Sequence, residues 1–291
     1  MKPAAFEYQR VDSVEAAVAG LTSAGEDAKL LAGGQSLVPM LNFRLLQPSV
    51  LIDINRIAGL DRLEEREDSI RIGALARHHR LETDAMLARR LPVLHAAMAH
   101  VAHLAIRNRG TIGGSLSHAD PAAELPMLAM LLDARLDIIG PSSQRQVAAA
   151  DFFLGALTTD LAEDEMLTAV ELPTLPAGTG WDFQEVARRA GDFALVALAA
   201  TLTVSEGVIT EARIALMGVG ETPLRVPAAE ALLHGQAMND PLAAAAADAV
   251  RQAVDPMNDL HASADYRRHL AGVLTRRALA NAWQRADEAS A

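Results

Sequence analysis

The stretch KLLAGGQSLVPMLNFRL, residues 29–45, decides the interpretation of the N-terminal part of the chain. A short apolar run ends in Gly33 and Gly34, and Gln35, Ser36 and a second apolar run follow directly. Glycine loses more backbone freedom on folding than any other residue, so a glycine pair indicates that the bare backbone itself is used. Successive N–H groups in such a bend can point into one concavity and bind an anion. The stretch therefore predicts a buried strand that ends in an anion-binding bend.

A second stretch, TIGGSLSHADPAAE at residues 111–124, has the same build and is also expected to form a loop. Its backbone and hydroxyl groups supply hydrogen-bond donors, and its carboxylates suit ribose hydroxyls or an adenine edge. Two donor-rich bends suit a ligand with two phosphates, and the pyrophosphate of a dinucleotide is the simplest ligand of that kind. The residues concerned are Thr111, Gly113, Gly114, Ser115, Asp120 and Glu124.

Other phosphate-binding motifs fit these two stretches less well. Neither stretch has the Gly-Lys-Ser/Thr ending of a P-loop or the G-x-G-x-x-G spacing of a Rossmann fold. Asp53 follows Gly33 by 20 residues at the end of a predicted strand, as the acidic residue of a Rossmann fold does. This alternative stays open, although the glycine spacing argues against it.

The composition narrows the class of protein. The chain has 291 residues, 51% of them hydrophobic, and a formal net charge of −11. An acidic globular chain argues against binding to nucleic acid or to an anionic membrane. No apolar run is long enough to span a membrane, and the N-terminus lacks the apolar region of a signal peptide, so we expect a cytoplasmic protein. The chain has no cysteine, which excludes disulfides, zinc–thiolate sites and iron–sulfur clusters ligated by its own cysteines.

Hydrophobic periodicity and turn signals predict an α+β architecture. The first 55 residues alternate as strand, helix, strand, turn and strand, with Asp12 as the cap of the helix. Three strand-like runs near the C-terminal end predict an antiparallel meander, and helices follow it. The intervening elements are a hairpin at Asp68-Ser69, helices over about 80–89, 92–102 and 125–132, strands at 136–139 and 144–147, and a last helix that begins near Ser263.

A Pro/Gly-rich segment at 174–180 is the best candidate for a linker between two domains. We therefore place the first domain at residues 1–175, with lobes of about 1–57 and 58–175. The second domain takes residues 178–291 and combines the predicted meander with helices.

Three segments together resemble a known family. AGGQSLVPMLNFRLLQPSVLIDINRI (32–57) and IRNRGTIGGSLSHADPAAELP (106–126) are similar to the FAD-binding medium subunit of molybdenum hydroxylases, the carbon monoxide dehydrogenase and xanthine dehydrogenase family. VARRAGDFALV (186–196) resembles the segment that opens the C-terminal domain of that family. The resemblance implies a PCMH-type (vanillyl-alcohol-oxidase-like) FAD-binding domain of two α/β lobes, followed by a C-terminal antiparallel sheet with helices. FAD would lie between the lobes, with the C-terminal domain over the flavin ring.

The same resemblance implies the residues that contact FAD. One group lines each side of the pyrophosphate, a third lies in the ribose or pyrophosphate region, and single residues lie near the adenine and over the isoalloxazine ring. Phenylalanine at this last position can stack but has no hydroxyl group to donate. By this resemblance, one side of the pyrophosphate is lined by Ala32, Gly33, Gly34, Gln35, Ser36 and Leu37, and the other side by Thr111, Gly113, Gly114 and Ser115. The third group is Asp120, with His118 and Glu124 nearby. Leu167 is the residue near the adenine, and Phe193 is the residue over the isoalloxazine ring.

The family's chemistry implies an electron-transfer subunit without catalytic side chains or a metal of its own. A large molybdenum-cofactor subunit would hydroxylate the substrate, and the [2Fe-2S] clusters of a small subunit would pass electrons to FAD in this chain. The FAD would then reduce NAD⁺, a quinone or oxygen, in a dimer of heterotrimers. The absence of cysteine agrees with this division of tasks. Two alternatives stay open: a free-standing flavin reductase similar to UDP-N-acetylenolpyruvoylglucosamine reductase, and a flavin-free binding protein.

Other candidate residues have simpler interpretations. Ser115, His118 and Asp120 have the composition of a hydrolase triad, but they are close in sequence and lack a nucleophile elbow. His100 and His103 would share a helical face and could bind a metal, although partly buried or capping histidines are the simpler interpretation. The arginines before the second stretch, Arg107 and Arg109, could attract phosphates or be surface charges.

Overall fold

The structure is a computed structural model and describes residues 2–290. The N-terminal lobe contains β1 (Glu7–Arg10), α1 (Val14–Ala24), a 3₁₀ turn (Gly25–Asp27), β2 (Ala28–Leu31), α2 (Leu37–Asn42) and β3 (Val50–Asp53). Its strands form a parallel sheet in the order β1-β3-β2, which confirms the predicted alternation. Ser13 rather than Asp12 caps α1, because the Ser13 hydroxyl accepts a hydrogen bond from the N–H of Ala16 at 3.1 Å.

The second lobe is built on a five-stranded antiparallel sheet. Its first elements are β4 (Leu63–Glu65), β5 (Ser69–Gly73), α3 (His78–Thr83), α4 (Ala85–Arg90), α5 (Pro92–Ala97), α6 (Leu104–Arg107) and α7 (Ile112–His118). The others are α8 (Glu124–Leu131), β6 (Arg135–Ile139), β7 (Gln144–Ala148), α9 (Ala149–Phe152), β8 (Phe153–Gly155), β9 (Thr158–Thr159) and β10 (Met166–Pro173). The sheet order is β4-β5-β10-β6-β7, and β8 and β9 form a separate hairpin.

Two helices of this lobe differ from the prediction. The predicted helix over 80–89 is divided into α3 and α4 at Asp84, whose carboxylate caps α4 by accepting hydrogen bonds from Met86 and Leu87 N–H at 3.0 and 3.3 Å. The helix predicted over 92–102 ends at Ala97. A local cap therefore overrides an otherwise continuous helical pattern.

The C-terminal part combines one sheet with three helices among the described residues. Its elements are β11 (Thr179–Ala187), β12 (Ala194–Ser205), β13 (Val208–Met217), β14 (Leu224–Arg225), α10 (Pro227–Leu233), α11 (Asp240–Ala253) and α12 (Ala264–Ser290). The strands pair in the order β11-β12-β13-β14, all antiparallel, so the predicted meander is confirmed. The segment predicted as a linker includes the first residues of β11.

The C-terminal sheet lies between the second lobe and the helices α11 and α12. Side chains alternate between the two faces of a strand. On β12, Ala197 and Ala199 therefore belong to the core of the second lobe, whereas Leu198 and Ala200 belong to the core with α11 and α12. Because one core spans both parts, the division near residues 175–178 stays a prediction. In the described part of the chain, no helix is long and apolar enough to cross a membrane.

We expect Gly180→Ala to destabilise the C-terminal part. A Cβ atom on Gly180 would overlap the carbonyl oxygen of Ala282 on α12 and lie 2.9 Å from its carbonyl carbon. Overpacking of this kind costs about 1–3 kcal/mol. Thermal unfolding of the full chain should show a clearly lower Tm for Gly180→Ala. The control Gly220→Ala should leave the Tm nearly unchanged, because the nearest neighbour of a Cβ atom there is 3.9 Å away. Equal melting temperatures would contradict the close contact between β11 and α12.

Candidate functional site

The bend between β2 and α2 has the free backbone donors that its sequence predicts. Gly34 has a left-handed conformation with φ of 73°. Among the described residues, no acceptor takes a hydrogen bond from the backbone N–H groups of Gly33, Gly34, Gln35 or Ser36. The Gln35 side chain donates to the Gly33 carbonyl at 3.0 Å, and the Ser36 hydroxyl caps no N–H group of α2. The bend thus keeps its backbone donors available for a ligand.

The bend packs directly against the segment that precedes the second stretch. A Cβ atom on Gly33 would clash with the carbonyl oxygen of Arg109 and lie 2.9 Å from the Cα of Gly110. Only glycine fits such an approach, which is the close backbone contact that the glycine pair indicates. The structure therefore brings the two predicted stretches together, although they belong to different lobes.

A bridge of two side chains ties these stretches to each other. The Nδ2 group of Asn55 donates to the carbonyls of Ala32 and Leu31 at 2.8 and 3.2 Å. Arg77 donates through Nη2 to Asn55 Oδ1 at 2.6 Å and through Nη1 to the carbonyl of Arg109. The sequence analysis did not single out Asn55 or Arg77, because no local pattern marks a hydrogen bond between distant segments.

Asp53, which suggested a Rossmann fold, has partners within the protein. It is 7% exposed, and its carboxylate accepts hydrogen bonds from the Tyr8 hydroxyl and the Asn55 N–H, the latter at 2.9 Å. Burial alone would raise the pKa of Asp53, but these hydrogen bonds lower it below its usual value. The role of Asp53 is therefore to hold Asn55 and the C-terminal end of the central strand β3. Among the described residues, the parallel sheet of the N-terminal lobe has three strands.

The second stretch is not a loop, as predicted, but contains the helix α7. The Thr111 hydroxyl caps this helix by accepting from the N–H of Gly114 at 3.1 Å. The N–H of Gly113 donates to the carbonyl of Ala74 at 2.9 Å, so it is not available to a ligand. Gly113 is buried, and a Cβ atom there would lie 2.7 Å from that same carbonyl oxygen. Gly113 therefore permits close packing of α7, whereas Gly114 is exposed and Ser115 half-buried.

The acidic residues that follow α7 differ in their surroundings. Asp120 is partly exposed and accepts a hydrogen bond from the N–H of Ala122 at 2.9 Å. Glu124, the first residue of α8, is 8% exposed, and burial raises its pKa to about 7, with a smaller contribution from the charge of Asp120. Within residues 2–290, no hydrogen bond links Ser115, His118 and Asp120, so the arrangement of a hydrolase triad is not formed.

A second carboxyl group, half-buried and from the C-terminal part, lies near Glu124. Burial and the charge of Glu124 raise the pKa of Glu185 on β11 to about 8. The Glu185 Oε2 atom is enclosed and has no hydrogen-bond partner in the described chain. The sequence analysis missed Glu185, whose only signal is a carboxylate within a strand pattern.

The remaining predicted cofactor residues occupy two different environments. Leu167 is buried at a β-bulge of β10 and belongs to the core of the second lobe. Phe193 is 69% exposed at the end of the hairpin between β11 and β12. Gly191 of this hairpin packs on the His103 ring, since a Cβ atom there would lie 3.0 Å from Nε2. The hairpin that carries Phe193 is thus supported by the segment that leads into α6 and α7.

The histidines and arginines near the second stretch have distinct contacts. The His100 ring packs on Phe183 with a centroid separation of 4.9 Å, so His100 and His103 both contact the C-terminal part. Over residues 2–290, no group of three or more potential ligands is arranged to hold a metal ion. Arg107 forms a two-pronged ion pair with Glu82 at 2.8 and 3.0 Å. Arg109 is exposed. Burial is the largest cause that lowers the pKa of Arg77, and the positive charge of Arg109 is the second.

Comparisons with known proteins identify the family. The model of the FAD-binding domain in molybdopterin dehydrogenases matches residues 4–175, and that of the CO dehydrogenase flavoprotein C-terminal domain matches residues 181–282. This chain belongs to the FAD-binding subunits of the molybdopterin dehydrogenases. FAD is therefore its cofactor, the predicted PCMH-type fold is confirmed, and the chain is a component of an oxidoreductase.

The members of this family that are similar to the chain match it over nearly its whole length. The 6-hydroxypseudooxynicotine dehydrogenase complex subunit alpha of Paenarthrobacter nicotinovorans is 42% identical over 98% of this chain and 97% of its own length. The carbon monoxide dehydrogenase medium chain of Hydrogenophaga pseudoflava is 40% identical over 98% of this chain and 99% of its own length. A solved carbon monoxide dehydrogenase structure from the same organism has a TM-score of 0.96 at 42% identity, over 98% of this chain and 99% of that chain.

We expect Arg77→Gln to weaken the contact between the two lobes. The variant loses the hydrogen bonds to Asn55 and to the Arg109 carbonyl, each of which contributes about 1.5–3 kcal/mol because the donor is charged. Arg56→Gln is the matched control, since Arg56 is exposed and its side chain makes no hydrogen bond or ion pair with the described residues. Hydrogen exchange should become faster in residues 38–43 and 109–115 of the first variant only, because amides in both segments are hydrogen-bonded in the structure. Unchanged exchange in both segments would show that the bridge does not hold them.

Stability should depend on pH through Glu124. Its folded-state pKa of about 7 lies above the usual glutamate value, so the folded chain binds more protons than the unfolded chain between these two values. The free energy of unfolding therefore falls as pH rises through this window. Glu124→Gln removes the loss and should raise Tm at pH 8 by about 2–4 °C, the shift produced by 1 kcal/mol. The exposed control Glu163→Gln should leave the Tm at pH 8 unchanged. If Glu124→Gln raises the Tm by the same amount at pH 5, ionisation of Glu124 is not the cause.

Proposed function

We propose that this chain accepts electrons from the [2Fe-2S] clusters of a small partner subunit and passes them through FAD to an external acceptor. The observation that supports this most directly is the bend at residues 32–36. It has unpaired backbone donors and packs against the start of the second stretch, within a domain of the FAD-binding family. The Arg109 carbonyl and the Cα of Gly110 pack against the back of the bend and leave its N–H groups as the available contacts.

The pyrophosphate of FAD is the part that these donors suit. Successive N–H groups form an anion-binding concavity. The half-buried Ser115 hydroxyl in the first turn of α7 adds a donor, whereas the backbone N–H groups of this turn are already hydrogen-bonded within the protein. The charges of Arg77 and Arg109 favour an anion at the same junction. We assign the pyrophosphate to Ala32, Gly33, Gly34, Gln35, Ser36, Leu37, Thr111, Gly114 and Ser115, with Gly113 as the packing residue behind them.

The other contacts follow from the position of these groups along α7. Asp120 and His118 lie at the C-terminal end of α7, where they suit the ribose, and Glu124 lies next to them at the start of α8. Leu167 is assigned to the adenine pocket from the buried side. Phe193 is exposed on a supported hairpin, so it can stack on the isoalloxazine ring without donating a hydrogen bond.

Bound FAD accepts single electrons and releases them as a pair. The residues of this chain bind the cofactor, orient it and exclude water, and the proposal needs no protein acid or base. An iron–sulfur cluster requires ligands that this chain cannot supply through cysteine, since it has none. We therefore propose that the clusters and the molybdenum cofactor belong to a small and a large partner subunit, assembled with this chain as a dimer of heterotrimers. Relatives named as medium chains or complex subunits support this assignment.

The two alternatives from the sequence have no observation in their favour. A free-standing flavin reductase requires a proton donor and a sugar-nucleotide site, and neither arrangement is evident among residues 2–290. A flavin-free binding protein does not need a bend with unpaired backbone donors.

We expect Gly114→Val to abolish flavin retention without unfolding the chain. Gly114 is exposed, and among the described residues the one atom within 4 Å of a Cβ there is the capping Thr111 hydroxyl at 2.8 Å, so any adjustment is confined to this cap. Valine would occupy the space through which the pyrophosphate approaches α7. The measurement is FAD content and Tm of the full chain, purified alone and with co-expressed partner subunits.

Gly155→Val is the matched control in the same domain, since its nearest neighbour is 3.9 Å away. The control should hold FAD as the unaltered chain does, whereas Gly114→Val should bind at least about tenfold more weakly, a loss of 1.4 kcal/mol or more. Stoichiometric FAD in Gly114→Val would refute the assigned pyrophosphate site. A colourless complex of the unaltered chain would refute the proposed function itself.

A further inference from the structure

Glu185 points from the C-terminal sheet towards the FAD-binding domain. On the antiparallel pair of β11 and β12, Glu185 lies opposite Ala197, and Phe183 lies opposite Ala199. Phe183, Ala197 and Ala199 all belong to the core shared with the second lobe. Paired residues share one face of a sheet, and alternate residues of a strand do so as well. The Glu185 side chain therefore faces the second lobe rather than α11 and α12.

Among the described residues, the groups on the side that Glu185 faces make no hydrogen bond to its Oε2 atom and form no ion pair with it. From α8, the facing group is the carboxyl of Glu124, which is itself buried and close to Asp120. From the segment after α5 it is His100, whose ring packs on Phe183, and from β12 it is Ala197. Arg188, three residues further along the chain, is exposed and 4.0 Å from Asp192.

An enclosed carboxylate oxygen without a donor is costly, because burial removes its hydration and nothing replaces it. Glu185 Oε2 is such an atom within the described residues. A neutral carboxylic acid avoids the cost of the charge and carries a proton that it can donate. The arrangement therefore favours the neutral acid at neutral pH, and the surroundings contain no protein acceptor that uses its proton.

Glu185 lies in the part of β11 that is close to the expected position of the flavin ring. Ala187 pairs with Ala194, so Glu185 lies close to the end of β11 from which the hairpin with Phe193 extends. Gly191 of this hairpin contacts His103, at the start of the segment that leads to Thr111. If Phe193 covers the isoalloxazine ring, as the proposed function requires, the face with Glu185 borders the same cleft.

We propose that Glu185 contacts the cofactor: as a neutral carboxylic acid it donates a hydrogen bond to a carbonyl oxygen or ring nitrogen of the flavin. Glu124, across the domain interface, is a positioning residue that holds Glu185 in this form. This inference rests on the proposed function. The enclosed Oε2 atom has no surface that a cofactor could reach, so the proton and the contact are assigned to Oε1, the carboxyl oxygen that is not enclosed.

The test measures FAD binding by the full chain between pH 6.5 and 9, through the dissociation constant and the absorption spectrum of the bound flavin. In the unaltered chain, FAD should bind at least threefold more weakly at pH 9 than at pH 6.5, because Glu185 ionises. Glu185→Gln keeps a donor that cannot ionise and should show no such change. Glu185→Ala should bind at least fivefold more weakly at pH 6.5. Glu124→Gln should lower the pH at which binding weakens, judged against its own binding at pH 6.5.

Glu163→Gln, an exposed carboxyl of the FAD-binding domain, is the matched control and should behave as the unaltered chain. Melting temperatures of all variants separate a loss of folding from a loss of contact. If Glu185→Ala binds FAD as tightly as the unaltered chain, or if Glu185→Gln keeps the pH dependence, this inference is wrong while the proposed function stands. If the unaltered chain binds no FAD, both are wrong.

Discussion

The hydrogen-bonded bridge from Ala32 through Asn55 and Arg77 to the Arg109 carbonyl is the contact on which the cofactor site depends. The bend after β2 and the helix α7 belong to different lobes, and no sheet joins them. Their relative position is therefore set by side chains at the lobe boundary and by the close approach of Gly33 to the Arg109–Gly110 backbone. The bridge fixes the place where backbone donors of one lobe meet the hydroxyl groups of the other, which is what binding across a pyrophosphate requires.

The sequence predicted most of the architecture, because its patterns are local. Short apolar runs, caps and glycine turns indicate strands and helices within a few residues. The prediction of a loop at 111–124 was wrong for a reason that is not local. Two glycines cost a helix about 0.8–1.0 kcal/mol each relative to alanine. In the structure, the burial of Ile112 and Leu116 and the Thr111 cap offset this cost, and the burial can be seen only once the second lobe has folded around α7.

The candidate site was predicted in part for the same reason. Glycine pairs mark a bare backbone wherever they occur, so the two stretches were identified. Arg77, in contrast, acts on a carbonyl 32 residues away, and nothing in its neighbourhood in the sequence distinguishes it from a surface arginine. Arg107, which lies directly beside the second stretch, instead forms a structural ion pair with Glu82. Proximity in sequence to a binding stretch is thus a weaker guide than the hydrogen bonds that the tertiary fold completes.

The interface between the two domains contains one feature that packing alone does not require. Phe183 and the alanines of β12 contribute ordinary apolar contacts to the second lobe. Replacing buried ionisable groups by well-packed apolar residues is often neutral or stabilising, so a fold selected only for stability has no need of Glu124 and Glu185 in this place. Raised pKa values such as those of Glu124 and Glu185 are typical of sites where protonation is used. A bound group that accepts a hydrogen bond from Glu185 therefore explains the presence of these two carboxyls better than the joining of the domains does.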